Sequence, residues 1–126
     1  MAEFAHKELT FELIGAAMEV HNTLGPGFLE EVYQKALETE LRLRQLSFDP
    51  QHRVIVRYKG YVLVDYYLDL VVDGKVILEL KAVDQLASVH EAQLLSYLKA
   101  SGLEVGLLFN FGAESLQHRR LVLTNK

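Results

Sequence analysis

The sequence predicts an α/β (α+β) fold, a sandwich of helices around a mixed sheet. Three observations carry that expectation. The apolar residues change from a helical period to strict alternation after Pro50. Three alternating segments then follow one another, separated only by short "KG" and "DG" turns. A crossover helix then divides the third strand from a fourth, an order that suggests a mixed sheet.

The elements run in order. "ELTFELIGAAMEVHNTL" (8–24) is a helix with Leu13, Ala17, Val20 and Leu24 on one stripe and Phe11, Ile14, Met18 and His21 on the next. His21 on that apolar stripe reads as a core histidine. "GPG" at 25–27 stops the helix and starts another, from about Phe28 to Gln45, with Leu29, Val32, Ala36, Leu37 and Leu41 toward the core. "HRVIVRY" (52–58), "YVLVDYYLDLVV" (61–72) and "KVILELKAV" (75–83) are strands. "LASVHEAQLLSYLKASG" (86–102) returns to helix, with Leu94, Leu95 and Leu98 inward and Gly102 as its stop. "EVGLLFNF" (104–111) is a buried strand and "HRRLVLTN" (118–125) a final one. The order is α-α-β-β-β-α-β-β.

The chain has 126 residues, which suits one domain spanning 1–126. Half the residues are apolar, enough for a packed core, and no apolar run is long enough to span a membrane. The first ten residues lack the basic and apolar blocks of a signal peptide. The absence of cysteine excludes disulfides, thiolate metal sites and cysteine nucleophiles, and fits a cytoplasmic protein. With 17 acidic and 13 basic residues, the net charge is −4. That balance argues against a protein that coats nucleic acid by charge alone, so any such contact needs a local basic patch, a metal or a partner protein.

One strand carries charges that a plain core strand would not. Glu79 and Lys81 are two apart and share a face of "VILELK". Asp69 joins that face only if the turn at Asp73-Gly74 has an odd offset. A two-residue hairpin would leave Asp69 opposite, whereas a type I turn with a glycine bulge would bring it round. With the odd register, two carboxylates and an ammonium cluster. A hard divalent cation then relieves the repulsion, Mg²⁺ first, with the Leu80 carbonyl as a further oxygen. Lys81 beside it could orient a water or stabilise charge on a phosphate. The alternative is an ordinary Glu79–Lys81 pair on a solvated sheet face.

On the next helix, Gln93 and Tyr97 are spaced i, i+4 and share a face that could hydrogen-bond a phosphate or water; an amphipathic edge is the plainer explanation. His90 reads as a helix-end residue. In "GFLEEVYQ", an acid near the helix start is favoured by the macrodipole, which Glu30 and Glu31 satisfy equally.

Asp69, Glu79 and Lys81, followed by Gln93 and Tyr97, resemble the active-site signature of the PD-(D/E)XK nuclease superfamily. Gly27-Phe28-Leu29-Glu30-Glu31-Val32-Tyr33 is similar to the motif of its small GxxExxY family. "VHNTLGPGFLEEVYQKAL", "VILELKAV" and "HEAQLLSYLKASGLEVGLLFNFG" resemble that family's blocks, so the likeness spans nearly the whole chain. It implies a restriction-endonuclease-like α-β-β-β-α-β core with an extra N-terminal helix and a C-terminal strand. It implies a Mg²⁺-dependent nuclease, Mn²⁺ being the alternative metal, acting on DNA in preference to RNA. Asp69 and Glu79 would hold the metal, Lys81 would be catalytic, and Glu30 would help hold the metal or its waters. Gln93 and Tyr97 would position the phosphate or the nucleophile. Related small nucleases suggest a homodimer. Two positions depart from the pattern: Leu68, not proline, precedes Asp69, and Tyr67 stands where an arginine is expected. The rival functions are a catalytically silent nuclease-like scaffold and a small-molecule phosphoesterase.

Overall fold

The computed structural model describes residues 5–124. The elements are α1 (Lys7–Leu24), α2 (Glu30–Leu43), β1 (Phe48–Tyr58), β2 (Tyr61–Val72), β3 (Val76–Lys81), α3 (Ser88–Ser101), β4 (Val105–Asn110) and β5 (Gln117–Val122). The order is the expected one. Asn125, the end of the expected last strand, lies outside the described residues.

The strands form one mixed sheet in chain order. β1, β2 and β3 pair antiparallel, β3 and β4 pair parallel across the α3 crossover, and β5 returns antiparallel. Helices cover both faces. Leu13, Ala17 and Val20 of α1 with Tyr33, Leu37 and Leu41 of α2 pack on Leu70, Val72, Leu78 and Phe109. Leu94 and Leu98 of α3 pack on Leu68, Val71, Ile77 and Leu108. With both faces covered, β3 and β4 read as continuous apolar runs. Glu79 is therefore a charged residue in a buried strand, only 4% exposed. Among the described residues no helix is long and apolar enough to cross a membrane.

Several expectations need correction. β1 begins at Phe48, before Pro50. Pro50 is tolerated because β1 is an edge strand, where a missing N–H can face solvent. Phe11 and Met18 are exposed, since α1 buries one stripe and its second stripe reaches inward only through Ile14 and His21. Leu29 is exposed because it is the extended residue before α2, outside the helical phase that aims Tyr33, Leu37 and Leu41 inward. Leu95 lies at the rim of the α3 face.

Tyr33 fixes where α2 starts. Its ring is buried against Phe111, with centroids 4.7 Å apart. Its hydroxyl donates to the Gly25 carbonyl at 2.6 Å and accepts from the Phe28 N–H at 3.2 Å. The loop it fastens passes through Gly27 at φ +112°, a conformation open to glycine and few others. His21 is buried as expected, its Nε2 2.9 Å from the Ala113 carbonyl. His90 serves the helix end, accepting the Ala87 N–H at Nδ1.

Candidate active site

The turn between β2 and β3 decides whether a site exists. Val72 pairs with Val76, so Asp73, Gly74 and Lys75 form a three-residue connection. The offset is odd, as the clustering of Asp69 with Glu79 requires. The turn itself differs from the type I form: Asp73 (φ 55°) and Gly74 (φ 65°) are both left-handed, and the Lys75 N–H closes on the Val72 carbonyl. The odd residue is Lys75, added to a mirror-image turn whose twist suits a hairpin.

With that register, the ladder runs from Val72–Val76 to Leu70–Leu78 and stops. Position 69 comes next, opposite 79, and here side chains replace the backbone pairing. The Asp69 N–H donates to Glu79 Oε2 at 2.8 Å, and the Leu80 N–H donates to Asp69 Oδ2 at 2.9 Å. The side-chain alternation of β2 also slips by one at this point. Leu68 and Val71, three apart, both pack toward α3, while Leu70 and Val72 face the other way. Gln51, lying between the pairs Pro50–Leu70 and His52–Leu68, has a left-handed φ of 51° and hydrogen-bonds the Asp69 side chain.

The electrostatics follow from burial. Glu79 is pushed up to about 8, first by burial and then by the charge of Asp69. Asp69 is also raised by burial, although the Leu80 amide and Lys81 pull it down. The two carboxyls hydrogen-bond one another, so without a cation the pair retains a proton between them. Glu30 is raised too, by partial burial first; Lys81 opposes that shift and Asp69 adds to it. Tyr97 is raised by burial and by the charges of Glu79 and Asp69. Its ring packs on Tyr66 at 5.0 Å. Lys81 Nζ donates to Gln93 Oε1 at 2.8 Å.

Glu30, Asp69, Glu79, Lys81, Gln93 and Tyr97 thus come from four elements to one place. Three neighbours were not anticipated. Gln34 donates to the Asp69 carbonyl at 2.9 Å and to Glu38 at 3.0 Å. It stands one turn beyond Glu30, a spacing that could have revealed it. Gln51 carried no such signal, because the alternating segment starts only at His52. Tyr66 was hidden in a strand read only for its alternation.

The donor set is all oxygen: two carboxylates, with the Leu80 backbone turned toward the Asp69 side of its strand. Among the described residues no three His, Asp or Glu side chains converge into a metal-binding cluster. Few protein ligands and hard oxygen donors fit an ion that keeps several of its own waters, as Mg²⁺ does.

A mixed sheet held between helices, with an acid pair where two of its strands part and a lysine two residues on, defines a restriction-endonuclease-like fold. The sequence from residue 7 to 121 matches the family model of the PD-(D/E)XK nuclease superfamily, and the chain belongs to that superfamily. No curated protein matches the chain. Its fold is similar to the crystal structure of SSO0001, with a TM-score of 0.62 at 15% identity, over 76% of this chain and 50% of that one. An alkaline exonuclease (LHK-Exo) from Laribacter hongkongensis has a TM-score of 0.42 at 10% identity, over 71% of this chain and 56% of that one. The chain therefore spans about half the length of the solved structures it matches.

Proposed function

We propose that this protein is a divalent-metal-dependent nuclease of the GxxExxY kind, hydrolysing phosphodiester bonds in DNA, with RNA the second choice, in the cytoplasm. The observation that carries the reading is the Asp69–Glu79 pair, buried together beside Lys81 in a member of a nuclease superfamily. A pair so placed weakens the fold unless it binds a cation, and a structural role would be better served by apolar residues.

Asp69, Glu79 and the Leu80 carbonyl would hold Mg²⁺, or Mn²⁺ in its place, with Glu30 reaching the ion or its waters from α2. When bound, the ion supplies charge neutralisation at the phosphate and a more acidic water. The chain's own groups do the rest. Lys81 balances the negative charge that builds on the phosphate, and Gln93 fixes the direction of its ammonium. The Tyr97 hydroxyl, kept protonated by its surroundings, donates to a phosphate oxygen. Glu30 orients the attacking water in line with the leaving oxygen. Gln34 and Gln51 hold Asp69 from its carbonyl and its carboxylate.

The test is cleavage of end-labelled DNA and RNA with Mg²⁺, with Mn²⁺ and with chelator. Cleavage by the wild type, absent with chelator and lost in Lys81→Ala, is expected. A wild type that binds DNA yet never cuts it would favour the silent scaffold instead.

A further inference from the structure

Away from the acid pair, β1 and β2 continue as a ribbon. β3 pairs with β2 only over Leu70–Val72, so residues 61–68 of β2 are laddered to β1 alone. A two-stranded ribbon is marginal by itself in water. This one nevertheless exposes Tyr58, Tyr61, Val62, Leu63, Val64 and Tyr67, with Tyr61 75% and Tyr67 54% accessible. Open strand edges flanked by apolar groups normally meet something.

The composition says what. Tyr58, Tyr61, Tyr66 and Tyr67 are four of the chain's six tyrosines. Tyr58 and Tyr61 face each other across the Lys59-Gly60 turn, and Lys59 Nζ lies 5.4 Å from the centre of the Tyr58 ring. Between residues 53 and 66 there are three cations, Arg53, Arg57 and Lys59, and one acid, Asp65, which Arg53 engages at 2.9 Å. The ribbon is thus a positive segment on a chain of net charge −4. It is continuous with the site: Tyr66 packs on Tyr97 of the site, and Tyr67, on the other face of β2, stands two residues before Asp69.

We propose that the ribbon is a platform for single-stranded nucleic acid, along which a strand is led to the acid pair. The inference deepens the nuclease reading and rests on it for what happens at the site. Exposed rings stack on bases whose faces are open, as they are in a single strand and not inside a duplex. Arg57 and Lys59 meet the phosphates. Stacking does not depend on net charge, which suits an acidic protein poorly equipped to grip duplex phosphates. Tyr61 to Asp69 is roughly 25 Å of extended strand, so a dinucleotide at the site cannot touch the tip.

The experiment is fluorescence anisotropy with a labelled single strand and the corresponding blunt duplex, in chelator so that nothing is cut. Wild type is compared with the double variants Tyr58→Ala/Tyr61→Ala, Tyr58→Leu/Tyr61→Leu and Arg57→Ala/Lys59→Ala; the leucine pair keeps strand propensity and apolar bulk if the alanine pair fails to fold. Tighter binding of the single strand is expected, weakened roughly tenfold or more by either tyrosine variant. The salt dependence should become shallower only in the charge variant. Equal affinity for duplex and single strand, or wild-type binding by the leucine pair, overturns the proposal. So does sedimentation showing that the ribbon variants turn a dimer into a monomer with nucleic-acid binding unchanged, because a second copy then occupies the ribbon. Hydrolysis of a dinucleotide phosphodiester with Mg²⁺ separates the two readings. Ribbon variants should cut it as the wild type does; a wild type unable to cut anything counts against the nuclease, while the anisotropy result still decides the ribbon.

Discussion

Asp69 and Glu79 complete each other's strands: Glu79 accepts the Asp69 amide, and Asp69 accepts the amide of Leu80. The same contacts that end the β2–β3 ladder therefore hold two carboxylates together in a buried place. An amide side chain offers the same acceptor oxygen without the charge. Asp69→Asn and Glu79→Gln should thus melt at the wild-type temperature or above it in chelator. Millimolar Mg²⁺ should raise the wild-type melting temperature by mass action and leave both variants nearly unchanged.

The pH dependence of the metal-free protein has a definite sign. Glu79 ionises at about 8 in the folded chain against an ordinary 4.5, so the folded state keeps a proton that the unfolded chain releases. Below about 4.5 both states hold it and the group has no effect. As pH rises from there toward about 8, stability falls, and above that the loss is complete. Chemical denaturation in chelator across this range should show that decline, and Glu79→Gln should flatten most of it. A wild type as stable at the alkaline end as at the acid end would contradict the buried pair.

How much of this was legible in the sequence depended on what each residue had to satisfy. The odd register at Asp73-Gly74 was legible because only it puts Asp69 and Glu79 on one face; the turn's mirror-image geometry was not, because a bulged type I turn meets the same demand. The helical stripes gave Leu13, Ala17, Leu37 and Leu94 correctly. They misplaced Phe11 and Met18, because periodicity shows which residues align and not how wide a face the sheet covers, and Leu29, because the helix starts only after it. Gln51 was unreadable: its place beside Asp69 comes from a left-handed backbone at an edge-strand irregularity. Glu30 was separable from Glu31 only through the family motif. The structure bears on that choice through the coupling of Glu30 to Lys81 and Asp69.

That difference between neighbours is itself testable. Glu30→Gln should lower DNA cleavage at least tenfold with little change in melting temperature. Glu31→Gln, one position on, should cleave as the wild type does: both acids are exposed, and it is Glu30 that feels the charges of Lys81 and Asp69. Parallel assays of the two variants at fixed Mg²⁺ would check it, and equal losses would remove Glu30 from the site.

Tyr33 should matter for position before chemistry. Tyr33→Phe keeps the stack on Phe111 but leaves the Gly25 carbonyl and the Phe28 N–H without their partner. A cost of about 1–2 kcal/mol is expected in denaturant unfolding. Because the loop it fastens sets the start of α2, cleavage should fall as well, with metal affinity much less affected.

Gly74→Ala examines the turn. A side chain at φ 65° is strained by about 1–2 kcal/mol, measurable as a lower denaturation midpoint. Since Lys75 still supplies the odd residue, metal binding should persist in the folded fraction. Loss of metal binding without loss of stability would mean that the register rests on Gly74 itself.

The most direct test of the central claim is calorimetric titration of Mn²⁺ and Mg²⁺ into the wild type, Asp69→Asn and Glu79→Gln, each confirmed as folded. The acid pair predicts saturable binding by the wild type, with proton release near neutral pH as the shared proton leaves, and no binding by either variant. A wild type that binds neither ion, or variants that bind as tightly as the wild type, would contradict it.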